Sequence, residues 1–166
     1  MFDFIIVGAG QAGLAMAYHL KKANAHFLIL DSENEIGASW LKRWDSLKLF
    51  TPTEFNHLPG MPFPAEKGHY PNKHDVANYF KSYVSRFELP VKLGNKVEKV
   101  VKSEGHFQVQ CQQQTLITKQ VVIASGPFHT PFVPSCHASL SPDIQQIHSR
   151  DYRNPEQLNE GDTLVV

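Results

Sequence analysis

The stretch FDFIIVGAGQAGLAMAYHLKKANAHFLILD, residues 2–31, decides the fold. Phe2–Val7 is an apolar, β-branched run, long enough for a strand and too short for a helix. Gly8-Ala9-Gly10-Gln11-Ala12-Gly13 follows, and Leu14–Ala23 is then an Ala- and Leu-rich helical stretch with no breaker. His26–Leu30 is a second apolar strand, ending at Asp31. Strand, turn, helix and strand within about 30 residues predict two parallel strands joined by a right-handed crossover. Gly8 permits the tight turn, Gly10 lets the backbone approach a diphosphate that a Cβ would obstruct, and Gly13 lets the helix pack closely on the strand. The helix from Gln11 aims its unpaired N–H groups and partial positive charge at the same place. Asp31 lies 18 residues beyond Gly13, where a strand-end carboxylate can accept from both ribose hydroxyls. An acid there argues against a 2′-phosphate, so the expected adenosine belongs to FAD or NAD rather than NADP.

The chain beyond Asp31 separates those two. Residues 32–72 have no clear period and carry Trp40, Trp44, Phe50, Phe55 and Phe63 among Pro52, Pro59, Pro62, Pro64 and Pro71. A long stretch without regular structure inside a domain is functional or a linker, and linkers are poor in aromatics. The reading is a functional surface, the wall a large flat flavin ring needs, where an NAD-type half would repeat its strand–helix units promptly. Asn72 with Asp75 predicts a capping-box start to an amphipathic helix whose apolar stripe is Val76, Phe80, Tyr83, Val84 and Phe87, read as core. Val97–Val101, His106–Cys111 and Thr115–Lys119 alternate polar and apolar, with breaks at Ser103–Gly105 and Gln112–Gln114, and predict a small antiparallel meander. Val121–Ala124 reads as a further buried strand, closing on Ser125-Gly126-Pro127. A Pro-interrupted tail comes next, and Leu164–Val166 reads as the start of another strand.

Composition excludes several classes. The 166 residues balance 16 Lys+Arg against 16 Asp+Glu with no basic run, which removes the electrostatic driver of nucleic-acid binding. No window offers the roughly 20 continuous apolar residues of a membrane span. Ala15-Met16-Ala17 mimics a signal-peptidase site, but Asp3 and no Lys or Arg precede it, so the expectation is a cytoplasmic protein. Cys111 and Cys136 form no CxxC pattern and are expected as thiols. The nine His, including His69 with His74 and Cys136-His137 with His129 and His148, show no metal-ligand spacing. There is no GxSxG, which leaves serine hydrolysis without support.

Several motifs in order carry a family resemblance. Residues 31–40, DSENEIGASW, resemble the acid-to-GGxW segment of flavin-containing monooxygenases and their bacterial CzcO/TrkA-like relatives. The likeness continues through WDSLKLFTP at 44–52, LPG at 58–60, YPNK at 70–73, VVIASGPF at 121–128, which resembles the family's A-T-G strand end, and HSRDY at 148–152. Ala38 replaces the second glycine and Ser125 the Thr of ATG, while Pro142 and Ile144 stand where the family fingerprint has Phe and Gly. Phe50 falls where animal members carry an Asn that helps hold the oxygenated flavin, and a Phe side chain donates no such hydrogen bond.

The resemblance implies an α/β, Rossmann-like FAD/NAD(P)-binding fold in three layers, a parallel sheet with a small antiparallel meander. It implies FAD as cofactor, with Gly8, Gly10, Gln11, Ala12 and Gly13 at the diphosphate and Asp31 with Ser32 at the adenosine ribose. Trp40, Leu41, Leu49, Phe50 and Thr51 would line the flavin, and Ser125 and Gly126 would approach the diphosphate edge. In that family NAD(P)H reduces the flavin and O2 then oxygenates a small substrate at a soft nitrogen or sulfur, or a ketone. The family strand matching Thr163–Val166 leads into a second GxGxxG that opens the NAD(P)H domain, and a returning C-terminal segment completes the FAD domain. Residues 1–166 are therefore expected to be the N-terminal, truncated portion of an FAD-binding domain, with self-association through exposed apolar surface. Two readings stay open: the FAD-binding portion of a monooxygenase, or a catalytically inactive remnant that binds FAD or ADP.

Overall fold

In the computed structural model, which describes residues 1–112, 114–127 and 130–166, β1 spans Phe2–Val7 as its apolar run dictates. Helix α1 spans Gln11–Lys22 and begins directly at Gly10, ahead of the Ala- and Leu-rich run. It buries Gly13, Leu14, Ala17 and Leu20, the spacing that puts one stripe on one face. β2, Phe27–Leu30, runs parallel to β1 with Phe4 opposite Phe27 and Val7 opposite Leu30, as the crossover requires.

Within residues 32–72 a short helix, α2 (Ala38–Leu41), carries Trp40. Helix α3, Lys73–Arg86, starts with the complete capping box: the Asn72 side chain accepts from His74 N and Asp75 N, and the Asp75 carboxylate accepts from Asn72 N at 2.9 Å. Of its expected stripe, Val76, Phe80 and Tyr83 are buried, while Val84 and Phe87 pack half-buried against the same core. A two-residue strand, β3 (Val91–Lys92), then adds to β2 in parallel.

β4 (Val97–Ser103), β5 (His106–Cys111) and β6 (Gln114–Ile123) complete one sheet in the order β3-β2-β1-β6-β5-β4. β3, β2, β1 and β6 are parallel, and β4–β5–β6 is the expected antiparallel meander. The last meander strand and the following buried strand are one element, contrary to the expectation of two. No turn residue interrupts residues 115–123, and Thr118 belongs to both pairings, opposite Phe107 on β5 and Phe2 on β1. Its fully buried hydroxyl donates to the carbonyl oxygens of Phe2 (3.3 Å) and Gln120 (3.0 Å).

Successive residues of a strand face opposite sides. Ile6 and Ile29 join α1 and α3 in the main core, and Ile5 and Leu30 join Val109 of β5 in a second one. Val109 reaches that cluster because the meander curls over the sheet, which gives the three expected layers: helices, parallel sheet, meander.

From residue 130 the chain forms turns, with 3-10 helix at Ser135–Ser139 and Pro155–Gln157 as its regular structure. Leu164–Val166 forms no strand and stays exposed, since no described strand pairs with it. Gln113 of the expected turn, Phe128 of the strand-end motif and His129 lie outside the described residues. Among the described residues, no helix is long and apolar enough to cross a membrane.

Candidate functional site

The C-terminal ends of β1, β2 and β6 converge on the glycine loop. Gly8 has a φ of +107°, and a Cβ on it would lie 2.4 Å from the Ala124 carbonyl oxygen and 3.2 Å from the Ser125 Cα. Glycine at position 8 thus lets the end of β6 close against the turn, which brings Ser125 beside it; Gly126 comes next with φ +75° and open space around it. A Cβ at Gly13 would lie 1.9 Å from the Gly8 carbonyl oxygen, so the helix seats directly on the loop.

Gly10 is different. Its φ of −81° suits any residue, and a Cβ there meets nothing within 4 Å. Neither backbone strain nor internal packing requires this glycine, and the space it leaves lies at the start of α1. No side chain caps that start, and Gln11 and Ala12 are exposed.

Asp31 sits half-buried at the end of β2. Its carboxylate accepts from Ala9 N at 2.6 Å through one oxygen and from Glu33 N at 2.8 Å through the other. It therefore braces the glycine loop itself, a task that spacing along the chain, which points only to ribose hydroxyls, does not reveal. A carboxylate has about four acceptor sites, so two remain for a ligand. Ser32 is the exposed next residue.

Beside α1's start lies a groove of about 140 Å³. Gln11, Trp40, Leu49, Phe50 and Thr51, all expected at the site, line it together. Leu41 is not among the lining residues, although it shares α2 with Trp40. Phe50 is 94% exposed on the rim, so it is no core residue. The loop that carries it is laid against residues 69–72: Leu49 N donates to the Pro71 carbonyl and Thr53 N to the His69 carbonyl, each at 2.8 Å.

Asn56, Phe63, Val76 and Phe80 also line the groove, and no motif in the sequence points to them as site residues. Asn56 was hidden by the aperiodic stretch around it; its amide donates to the Thr51 and Pro52 carbonyls and ties the loop into a bend. Val76 and Phe80 belong to the apolar stripe of α3, and a core stripe that also walls a groove has no separate pattern. The turn bearing Gly60 is clamped from α3: the Tyr79 hydroxyl accepts from Leu58 N at 2.7 Å and donates to the Met61 carbonyl at 2.6 Å, and Tyr83 donates to the Pro59 carbonyl. Burial pushes both phenol pKa values up, so both hydroxyls stay protonated donors.

An uncapped helix start, an open glycine and a strand-end carboxylate thus meet at one end of the sheet, with an aromatic-walled groove beside the helix start. Among the described residues, no three His, Cys, Asp or Glu side chains cluster to hold a metal.

Known proteins resemble this chain in sequence and in fold. The chain is 45% identical over its full length to the uncharacterized oxidoreductase CzcO of Bacillus subtilis, covering 48% of that protein. It is 33% identical over 98% of its length to the probable indole-3-pyruvate monooxygenase YUCCA7 of Arabidopsis thaliana, covering 40% of it. A solved flavin monooxygenase from Stenotrophomonas maltophilia superposes with a TM-score of 0.88 at 30% identity, over 94% of this chain and 48% of that one. The chain thus spans about half the length of the CzcO relatives it matches. Residues 5–166 match the model of the pyridine nucleotide-disulphide oxidoreductases, and the chain belongs to that family.

Proposed function

We propose that the chain is the FAD-binding portion of a flavin-dependent monooxygenase that takes electrons from NAD(P)H and, with O2, oxygenates a small organic substrate. One observation carries this reading: Gln11, at the uncapped start of α1, shares one groove with Trp40, Leu49, Phe50 and Thr51. A diphosphate site and an aromatic wall are adjacent there, the layout that a nucleotide joined to a flat ring requires. The likeness to the Stenotrophomonas maltophilia and YUCCA7 proteins, both named as monooxygenases, supports it.

The backbone N–H groups of Gln11, Ala12 and Gly13 hold the diphosphate, and the missing side chain of Gly10 lets it approach. Asp31 and Ser32 accept the adenosine ribose, with Ser125 and Gly126 beside Gly8 on the diphosphate's other edge. Trp40 and Leu49–Thr51 would wall the ring and exclude water from one face. Bound flavin supplies the hydride and oxygen-transfer chemistry, and the protein positions and shields it. We place the protein in the cytoplasm, a reading supported by Cys111 and Cys136 being unpaired thiols.

The test is to titrate the purified chain with FAD by fluorescence and then add NADH or NADPH. Saturable FAD binding is the expected result, and bleaching of the flavin band would extend it to electron uptake from the nucleotide. Yellow protein that neither nucleotide bleaches would reduce the reading to a cofactor-binding unit without turnover. A chain with no FAD affinity overturns both.

A further inference from the structure

We propose that Asp45 is a positioning residue that ties segment 148–159 to the wall of the groove, so that docking of this segment and the spacing of the groove walls are coupled. The starting point is Lys73, a charged side chain in the first turn of α3 that is only 7% exposed. A buried ammonium persists only when its donors are satisfied. Lys73 Nζ donates to the Arg43 carbonyl at 3.0 Å and to the Asp45 carboxylate at 2.7 Å.

Both ends of that tie bear on the groove. Arg43 lies just past α2, its N–H bonded back to the Trp40 carbonyl at 2.9 Å. Lys73 lies three and seven residues before Val76 and Phe80, which places all three along one face of α3. Trp40 from α2 and Val76 with Phe80 from α3 all line the groove. Lys73 therefore ties the segment that follows α2 to α3, and both helices line the groove.

Asp45 extends the tie to the tail. Its second carboxylate oxygen accepts from the Asn154 amide at 2.8 Å, and its own N–H donates to the Arg153 carbonyl at 2.7 Å. The tail is knit internally around that point: Asn154 caps the Pro155–Gln157 turn, Gln145 Nε2 donates to the Gln157 carbonyl at 2.6 Å, and Asn159 N donates to Gln145 Oε1 at 2.8 Å. One aspartate thus holds α3 with one oxygen and a self-bonded segment with the other.

The test is hydrogen exchange on Asn154→Ala and on Asn154→Asp, which keeps the cap oxygen but turns a carboxylate toward Asp45. Neither residue change touches the Lys73 contacts. Exchange at 148–159 is expected to rise by about fivefold, the scale of one lost hydrogen bond. Exchange at 37–44 is expected to rise with it, with no ligand present. Faster exchange at 148–159 alone would overturn the coupling and leave Asp45 a simple anchor. Unchanged exchange at both would show that the Asp45 carboxylate does not hold the tail through Asn154, which also overturns the proposal.

A second readout rests on the flavin reading: the dissociation constant for FAD should rise several-fold in both variants, with a thermal midpoint close to the parent's. A flavin affinity unmoved by faster exchange at 37–44 would overturn the link to groove spacing. A parent chain that binds no FAD would overturn the flavin reading, and the exchange result would still decide the coupling.

Discussion

A methyl group added at Gly13 would sit 1.9 Å from the Gly8 carbonyl oxygen, whereas one added at Gly10 meets nothing within 4 Å. Gly13→Ala should therefore lower stability by about 3 kcal/mol, read as a fall in the urea midpoint. Gly10→Ala should stay within about 1 kcal/mol of the parent, because Gly10 is only an N-cap with ordinary φ. Its FAD affinity should nonetheless fall about tenfold or more, as the new carbon fills the diphosphate's approach. Equal losses of stability in the two variants would contradict this division of roles. Asp31 carries a different expectation. Asp31→Ala removes the acceptor of Ala9 N, a group on a nearly buried residue, and should cost about 1–3 kcal/mol by chemical denaturation without any cofactor. The glycine spacing was readable in the sequence because each position has its own steric reason. The brace from Asp31 to Ala9 was not, since spacing along a chain does not say which donors a carboxylate finds first.

Among the elements, α3 was the most legible, because its capping box and apolar stripe point to the same start and the same face. Asn72→Ala removes the side-chain acceptor of His74 N and Asp75 N, while the backbone N–H at 72 keeps its bond to Asp75, and should cost about 1 kcal/mol. That is a fall in Tm of about 2–4 °C for a chain of this size, checked by thermal unfolding. β1 and β5 match their sequence patterns residue for residue. β3 was invisible, since two residues, Val91 and Lys92, cannot show a period, and it forms because β2 offers an open edge. α2 was hidden for a similar reason: a four-residue helix is set by Gly37 at φ +82° and by packing on α3, where a Cβ on Gly37 would lie 2.7 Å from the Ala77 Cα. The site divides in the same way. Residues from the glycine loop and the aromatic stretch were readable by type, while Asn56, Phe63, Val76 and Phe80 enter the groove only through tertiary packing.

For the whole molecule, two half-exposed aspartates join distant parts of the chain. Asp3 at the start of β1 accepts from Lys119 of β6 at 2.7 Å and from His26 N at 3.0 Å, and the Lys119 hydrogen bond chiefly holds its carboxyl below the usual carboxylate range. Asp45 is lowered mainly by its hydrogen bond from Lys73 and next by that from Asn154, with Arg153 adding charge nearby. A carboxylate lowered on folding contributes its stabilisation above its unfolded pKa of about 4 and loses it as pH falls through the folded value. Tail protection at 148–159 should therefore hold between pH 5 and neutrality, the range above about pH 4 where Asp45 stays ionised, and decline below it; exchange measured across that range, corrected for the intrinsic rate, checks the direction. Apolar exposure gives the last expectation. Phe50, Phe55 and Phe132 are each more than 70% exposed, and Ile123, at the end of β6, is 65% exposed. Apolar side chains left in water favour contact with another apolar surface, at roughly 25 cal/mol for each Å² covered. The apparent mass by light scattering should rise with concentration and fall back in Phe132→Ser, whose residue lies in the tail and outside the groove. A constant monomer mass over a hundredfold range, about 3 kcal/mol of association free energy, would show that these side chains tolerate water singly.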